Sequence, residues 1–228
     1  MNLENNLKMI KAVLFDFDET LQDRTAAFEK YMDTFFDTFC PEIDEAEREK
    51  RKEDMRVTGK GGYVNREQWY EGLIKMWNWK DAPSNVLLAK HYDETFGDHN
   101  VIFPNSKKLL KELKKRGYIV GVITNGPSYL QNHKMDTSGL RPYCDIVVVS
   151  GDVGVHKPDP RLFTYTADKL GLKPEECCYV GDHPINDIQG ARDAGMMTIR
   201  MNFGWFENQM LDDSMPIITD IIEVLDYL

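Results

Sequence analysis

The sequence predicts an α/β protein, with a three-layer α/β/α core on a parallel sheet and an α-helical bundle inserted after the first strand. In the second half of the chain, short apolar runs alternate with amphipathic segments, and such alternation gives a parallel sheet with helices on both faces. Residues 22–100 differ, because they contain no β-branched run and divide into helix-like stretches. We therefore expect a core domain of residues 1–21 and 101–228 and a helical domain of residues 22–100.

The strands of the core are predicted from five apolar runs of strand length. The first run lies near the N-terminus, before the helical insertion, and the other four follow the insertion. The predicted strands are residues 11–15, 119–124, 145–149, 178–180 and 197–201.

The helices are predicted from amphipathic segments of suitable length. Gly117, Gly171 and Gly195 follow three of these segments, as glycines do one residue beyond a helix end. The predicted core helices are residues 105–116, 128–138, 160–170, 185–194 and 216–228. The predicted helices of the insertion are residues 25–39, 44–56, 66–77 and 84–96.

Composition restricts the class of partner. The 228 residues carry a formal net charge of −10, which argues against broad binding to nucleic acid or anionic membrane, since both require a basic surface. No apolar stretch is long enough to span a bilayer, and the N-terminal residues do not resemble a signal peptide. The four cysteines, Cys40, Cys144, Cys177 and Cys178, lack metal-type spacing, and the adjacent pair predicts buried thiols. These features favour a cytoplasmic protein, as a monomer or a homodimer.

Polar side chains follow four of the predicted strands. They are Asp16 and Asp18 after the first strand, Thr124 and Asn125 after the second, Lys157 in the loop after the third, and Asp182 and Asp187 after the fourth. In an open parallel sheet, ligands bind outside the carboxyl ends of the strands. We therefore expect these residues to form one site.

Carboxylates that converge at one sheet edge repel each other unless a cation is present. Mg²⁺ prefers oxygen ligands and takes only a few of them from the protein. The sequence therefore predicts a Mg²⁺ site with carboxylate oxygens from Asp16 and Asp182 and the main-chain carbonyl of Asp18. Asp187 is predicted to hold a metal-bound water or to orient Lys157.

Four stretches occur in a characteristic order: DFDET, ITN, the pair Lys157-Pro158, and GDHPIND. Together they resemble the haloacid dehalogenase superfamily, and the insertion resembles its C1 cap. The branch resembled includes phosphoglycolate phosphatase-like and nucleotidase-like members. The resemblance covers essentially the whole chain; the core motifs are specific, whereas the cap is generic. It implies a Rossmann-like core and a phosphatase that forms an aspartyl-phosphate intermediate.

The resemblance also implies a role for each motif residue. Asp16 would attack phosphorus, and Asp18 would act first as acid and then as base. Thr124 would hydrogen-bond a phosphoryl oxygen, together with main-chain N–H groups around Phe17 and Asn125. Lys157 would neutralise the intermediate. The acidic metal station would comprise Asp182 and Asp187, with Asp16 and Asp18 of the first motif.

Several alternatives remain open at this stage. A phosphomonoesterase that acts on a nucleotide or sugar phosphate is the leading hypothesis, a phosphosugar mutase is the second, and a binding module without catalysis is the third. Dehalogenation is disfavoured because dehalogenases replace the residue at Asp18. Glu19 stands where many family phosphatases have glycine or aspartate, and its side chain is expected to point away from the metal. His156 and His183 are read as loop histidines rather than substrate ligands.

The insertion contains one further candidate. The loop of residues 58–63 has three glycines, which permit positive φ and close approach to a ligand. Lys60 and Tyr63 in this loop are candidate substrate-binding residues. An ordinary connector between two helices explains the same pattern equally well.

Overall fold

The structure is a computed structural model that describes residues 10–207, 209 and 215–228. The chain divides into two compact units. The core unit comprises the residues up to Arg24 together with Asn100–Leu228, and the helical unit is Thr25–His99. The sequence placed the insertion at residues 22–100.

The core unit is built on a six-stranded sheet in which all neighbouring strands are parallel. The strands are β1 (Ala12–Phe15), β2 (Ile119–Thr124), β3 (Ile146–Val149), β4 (Cys177–Gly181), β5 (Met197–Met201) and β6 (Ile217–Ile218). Their spatial order is β3-β2-β1-β4-β5-β6, which confirms the predicted Rossmann-like parallel sheet. β1 lies between β2 and β4, so the strand order reverses there and opens the crevice in which such sheets bind ligands.

The helical unit consists of four amphipathic helices, as predicted. They are α1 (Arg24–Phe39), α2 (Glu45–Gly59), α3 (Arg66–Met76) and α4 (Asn85–Thr95). The last three are preceded by capping residues whose side chains accept a hydrogen bond from the main-chain N–H of the third helical residue: Asp44, Asn65 and Ser84. The apolar residues of α1 recur at helical spacing, and the face they form is buried. Within this unit the Tyr31 and Tyr70 hydroxyls share a hydrogen bond of 2.8 Å.

The helices of the core unit follow the strands in the predicted alternation. They are α5 (Ser106–Lys115), α6 (Ser128–Thr137), α7 (Ser150–Val153), α8 (Pro160–Lys169) and α9 (Gly190–Asp193), with a π-helical segment, Pro184–Gln189, immediately before α9. The predicted single helix of residues 185–194 is therefore a π-helical segment followed by one α-helical turn.

The prediction of a helix over residues 216–228 is wrong. Ile217–Ile218 forms β6, which pairs with β5, and Ile221–Asp226 forms a 3₁₀ helix that Asp220 caps. A short apolar run after a proline fits a strand and a helix start equally well. The free edge of β5 decides the outcome: Arg200 N–H donates to Pro216 O at 2.9 Å, and Asn202 N–H donates to Ile218 O at 2.8 Å.

Both faces of the sheet are covered, which explains why the strands are apolar throughout. Along β1, Val13 and Phe15 pack in a cluster with α5, and Ala12 and Leu14 pack in a second cluster with α8. The alternation fixes the register of β1, because a shift by one residue would exchange the two faces. It thereby fixes the position of the residue that follows β1.

Two further predictions concern thiols and membranes. Cys177 and Cys178 are buried free cysteines, as expected, and burial raises the pKa of the Cys177 thiol to about 11. Within the described ranges, no helix is long and apolar enough to cross a membrane.

Candidate active site

Lys157 lies at the centre of the predicted site. Asp16 directly follows β1, and its N–H donates to Val180 O of β4 at 2.8 Å, which joins the carboxyl ends of the two strands. The Lys157 ammonium donates to Asp16 Oδ1 and to Asp187 Oδ1, both at 2.6 Å. The Lys157 side chain is only 3% exposed. The structure thus brings three predicted residues, from three separate motifs, into direct contact.

A buried tyrosine completes the surroundings of this lysine. The Lys157 ammonium also lies 2.9 Å from the Tyr179 hydroxyl and 3.1 Å from Ile123 O. The Tyr179 hydroxyl in turn lies 3.0 Å from Asp187 Oδ1 and 3.1 Å from Ile123 O. Sequence reasoning missed Tyr179. Its signal was a hydroxyl within an otherwise apolar strand, since a buried tyrosine hydroxyl needs a partner.

Asn125 holds the main chain of the lysine loop. Its side-chain nitrogen donates to Lys157 O at 2.9 Å, and its side-chain oxygen accepts from Lys157 N–H at 2.9 Å. The amide therefore pairs with Lys157 much as a neighbouring strand would. The predicted contribution of Asn125 to substrate binding, through its main-chain N–H, stays a prediction.

Three carboxyl groups meet beside the lysine. Asp16, Asp182 and Asp187 are buried, and each offers an oxygen within 4.8 Å of those of the others. Gly181 leaves the space for this approach, because a Cβ at this position would lie 2.5 Å from the Asp187 carboxyl carbon. Burial, followed by the charges of Asp187 and Asp16, raises the pKa of Asp182 well above its ordinary value.

The nucleophile candidate is also difficult to ionise. Burial raises the pKa of Asp16 to about 7; the charge of Lys157 opposes this shift, and the charges of Asp187 and Asp18 add to it. One ammonium therefore does not compensate these carboxylates. A hard divalent cation would, and oxygen donors suit Mg²⁺.

The individual carboxylates are not equivalent as metal ligands. Asp187 already accepts hydrogen bonds at Oδ1 from Lys157 and at Oδ2 from the His183 N–H, at 3.0 Å. Its contacts fit the role of orienting Lys157, one of the two predicted for it. Asp16 and Asp182 fit direct coordination. The ligation expected from the Asp18 carbonyl stays a prediction.

The carboxylate of Asp18 is directed at α6 rather than at this group. The Lys134 ammonium donates to both of its oxygens, at 2.6 Å for Oδ1. Gln22 Nε2 donates to Oδ1 at 2.5 Å, and Gln131 Nε2 donates to Oδ2 at 3.3 Å. Burial alone would raise the pKa of Asp18, but the charges of Lys134 and Arg24 outweigh it and leave the pKa lowered. Asp18 is thus a carboxylate here, the form required of a general base.

Thr124 ends β2 and is almost fully buried. Its hydroxyl oxygen accepts a hydrogen bond from Gln131 Nε2, and Gln131 Oε1 accepts from Lys134 Nζ at 2.9 Å. Sequence reasoning missed both Gln131 and Lys134. No local sequence pattern marked them, because such polar side chains in a helix usually lie on the solvated face, whereas here both are buried beside Leu130 and Met135.

The other residues near the site have local roles. Glu19 has φ of 57°, a conformation that glycine adopts more readily. It packs against Gly204, and its charge contributes to the raised pKa of Asp182. His156 Nδ1 lies 2.8 Å from the Ser150 hydroxyl, and His183 Nδ1 accepts from the main-chain N–H of residue 185 at 3.0 Å.

Lys60 and Tyr63 belong to the helical unit. Lys60 directly follows α2, has φ of 45°, and begins a 3₁₀ turn, Lys60–Gly62. Tyr63 N–H donates to Lys60 O at 3.2 Å, and the Tyr63 side chain is exposed. The loop is therefore an ordered turn that presents a tyrosine at the surface of its unit.

Comparisons with known proteins agree with this geometry. A family model for haloacid dehalogenase-like hydrolases matches residues 10–195. The chain is 32% identical over 214 residues to a glyceraldehyde 3-phosphate phosphatase of Methanopyrus kandleri, covering 91% of each chain. It is 30% identical over 227 residues to a glyceraldehyde 3-phosphate phosphatase of Methanocaldococcus jannaschii, covering 96% of this chain and 97% of that one. The crystal structure of a HAD phosphatase from Thermococcus onnurineus matches with a TM-score of 0.65 at 27% identity, covering 95% and 97% of the two chains.

Proposed function

The chain belongs to the haloacid dehalogenase-like hydrolases and is a phosphatase of that family, and we propose that it hydrolyses a small phosphomonoester through a phosphorylated Asp16. The observation that carries this proposal is the contact of 2.6 Å between Lys157 Nζ and Asp16 Oδ1 at the carboxyl end of β1. A buried ammonium at this place offsets negative charge on both the attacking carboxylate and the phosphoryl group. Lys157 is held there by Asp187 and by the main-chain pairing with Asn125.

The residues fit a bound Mg²⁺, which Asp16 and Asp182 would hold. When bound, Mg²⁺ would lower the pKa of Asp16 and offset the charge of the phosphoryl oxygens. This contribution matters because the pKa of Asp16 is raised to about 7 by burial and by its acidic neighbours. With a cation present, Asp16 is ionised at neutral pH and can act as a nucleophile.

The proposed reaction has two displacements at phosphorus. In the first, an Asp16 oxygen bonds to phosphorus, the bond from phosphorus to the leaving oxygen breaks, and Asp18 gives that oxygen a proton. In the second, water attacks the aspartyl-phosphate, Asp18 takes a proton from the water, and the bond to Asp16 breaks. The Thr124 hydroxyl and Lys157 donate to the phosphoryl oxygens. A substrate dianion beside Asp18 raises the pKa of its carboxyl group and so favours the protonated form needed first.

Small phosphorylated metabolites are the proposed substrates, and we place the reaction in the cytoplasm. Two similar phosphatases are named for glyceraldehyde 3-phosphate, so this triose phosphate comes first in the test panel, with sugar phosphates and nucleotides after it. The experiment measures phosphate release across the panel with Mg²⁺ present. We expect hydrolysis of at least one small phosphomonoester and none by Asp16→Asn. Absence of hydrolysis across the panel would refute the proposal, and conversion to an isomeric phosphate without release would favour a mutase.

Substrate choice is proposed to lie in the helical unit as a cap, because the core motifs would contact only the phosphoryl group that all substrates share. Lys60→Ala and Tyr63→Ala should therefore change the ranking among metabolites, while the rate on a small aryl phosphate changes little. Lys75→Ala is the matched control, since Lys75 pairs with Glu71 on α3. An unchanged ranking in both loop variants would assign the loop to the role of a connector.

A further inference from the structure

The buried face of α6 contains two polar residues that the mechanism has not used. Gln131 and Lys134 are 2% and 1% exposed and lie between Leu130 and Met135 on the same face. We infer that they are positioning residues, which fix the Asp18 carboxylate and the Thr124 hydroxyl relative to each other. This inference rests on the proposed function, since it assigns a purpose to the contacts of Asp18 and Thr124.

The contacts of Lys134 constrain the Asp18 carboxylate. A lysine ammonium has three N–H groups, and Lys134 Nζ donates to Asp18 Oδ1, Asp18 Oδ2 and Gln131 Oε1. A donor shared between both oxygens fixes the direction in which the carboxylate faces as well as its distance. Gln22 Nε2 also donates to Oδ1, at 2.5 Å.

The orientation of Gln131 follows from that of Lys134. An ammonium has no acceptor, so the amide of Gln131 must turn its oxygen toward Lys134 and its nitrogen toward Thr124. The Thr124 oxygen then accepts a hydrogen bond from Gln131 Nε2. The proton of the Thr124 hydroxyl consequently remains to be donated elsewhere, as binding of a phosphoryl oxygen requires.

Stability alone does not explain a lysine at this position. Burying an ammonium is costly, and apolar residues of similar volume often replace buried ion pairs without loss of stability. Methionine has nearly the same length as lysine, and Met135 already occupies the adjacent position on the buried face of α6. The Lys134 ammonium contacts Asp18, and the Gln131 amide contacts Thr124. Asp18 and Thr124 are candidate catalytic groups from different motifs, so these contacts suit a positioning role.

Substitution of Lys134 should affect catalysis in the same way as substitution of Asp18, but less strongly. Displacement of a reacting group by about 1 Å can cost on the order of a hundredfold in rate, so Lys134→Met should lower kcat on an alkyl phosphate by about tenfold to a hundredfold. KM should change little, since Lys134 contacts the acid–base group. An aryl phosphate needs little protonation of its leaving group, so its phosphorylation step should lose less.

The test is a double-mutant cycle. Lys134→Met and Asp18→Asn are made singly and together, and two rates are measured: steady-state turnover of an alkyl phosphate, and the burst of phenolate released from an aryl phosphate. Lys114→Met is the matched control, because Lys114 forms an ion pair with Asp145, outside the candidate site. Circular dichroism and thermal melting check that each variant is folded.

We expect Lys134→Met to lower turnover in the wild-type background, and to change the phenolate burst less than about twofold once Asp18 is Asn. A loss of the phenolate burst that clearly exceeds about twofold and is equal in both backgrounds would overturn the inference, because Lys134 would then act independently of Asp18. Wild-type turnover in Lys134→Met would overturn it too, while leaving the proposed function intact. If the wild-type protein hydrolyses no phosphomonoester, the proposed function fails and the inference fails with it.

A second cycle covers the case in which Lys134→Met does not fold. Gln131→Leu and Thr124→Val are combined in the same way, and phosphate release and KM are measured. Gln131→Leu should weaken substrate binding or turnover in the wild-type background and have little additional effect when Thr124 is Val. Additive losses in this cycle would contradict the positioning role of Gln131.

Discussion

Mg²⁺ should stabilise the folded protein more at about pH 8 than at about pH 5, because the carboxyl groups that would bind it are hard to ionise. Burial and acidic neighbours raise the pKa of Asp16 from its ordinary 3.8 to about 7. Between these two values the folded protein binds more protons than the unfolded chain. Metal-free stability therefore falls as the pH rises through this window. A bound cation offsets the cost of ionising Asp16. The stabilisation of the folded protein by Mg²⁺ therefore increases as the pH rises.

The size of the effect follows from the shift. Between about pH 5 and the raised pKa of about 7, about two pKa units at 1.36 kcal/mol each correspond to roughly 3 kcal/mol as an upper limit for the contribution of Asp16. For a protein of this length, each kcal/mol shifts Tm by about 2–4 °C, so the Mg²⁺-induced rise in Tm differs between the two pH values by at most about 6–12 °C. The assay is thermal unfolding at the two pH values, with chelator or with Mg²⁺.

Asp16→Asn is the control, because it removes the titrating group and a proposed ligand. In this variant the metal-free Tm should vary less between the two pH values, and Mg²⁺ should raise Tm less. An equal Mg²⁺-induced rise in Tm at both pH values in the wild-type protein would show that Mg²⁺ binding is not linked to the ionisation of Asp16. So would the absence of any rise in Tm with Mg²⁺.

Two substitutions test the packing around Lys157. Gly181→Ala places a Cβ 2.5 Å from the Asp187 carboxyl carbon and should lower the free energy of unfolding by about 1–3 kcal/mol, together with turnover; urea denaturation and phosphate release measure the two. Gly72→Ala, with no atom within 4 Å of the added Cβ, should preserve both, and equal behaviour of the two variants would contradict the steric argument. Tyr179→Phe removes a hydroxyl that lies 2.9 Å from the Lys157 ammonium. It should lower the free energy of unfolding by about 1–3 kcal/mol and lower kcat. Unchanged stability and kcat would show that this hydroxyl contributes nothing.

The strands were predictable from the sequence because both faces of the sheet are buried. Residues that must be apolar on both faces form continuous apolar runs, and β2 and β5 begin and end at the predicted residues. The C-terminal segment was not predictable in this way. A strand of two residues, Ile217–Ile218, is too short to show a periodicity, and its pairing depends on the free edge of β5.

Residues of the candidate site were predictable from the sequence where a polar side chain lies at or soon after the end of a predicted strand. Asp16 and Asp182 follow strands directly, Asp187 lies in the π-helical segment after β4, and the structure brings their oxygens together. Lys134 was not predictable on these grounds, because a lysine in a helix usually lies on the solvated face. Its burial depends on how α6 packs beside Asp18, and no local pattern contains that information.

Asp16 is proposed to carry the phosphoryl group, and trapping of the phosphoenzyme shows which residue is phosphorylated. An aryl phosphate is mixed with the Mg²⁺-supplemented Asp18→Asn variant, in which breakdown of the intermediate should be slow. The mixture is quenched in acid, and the peptide of residues 12–24 is analysed by mass spectrometry. We expect the mass of one phosphoryl group on this peptide and its absence when Asp16 is also Asn. Phosphate on any other residue, or full turnover by Asp16→Asn alone, would show that Asp16 is not the nucleophile.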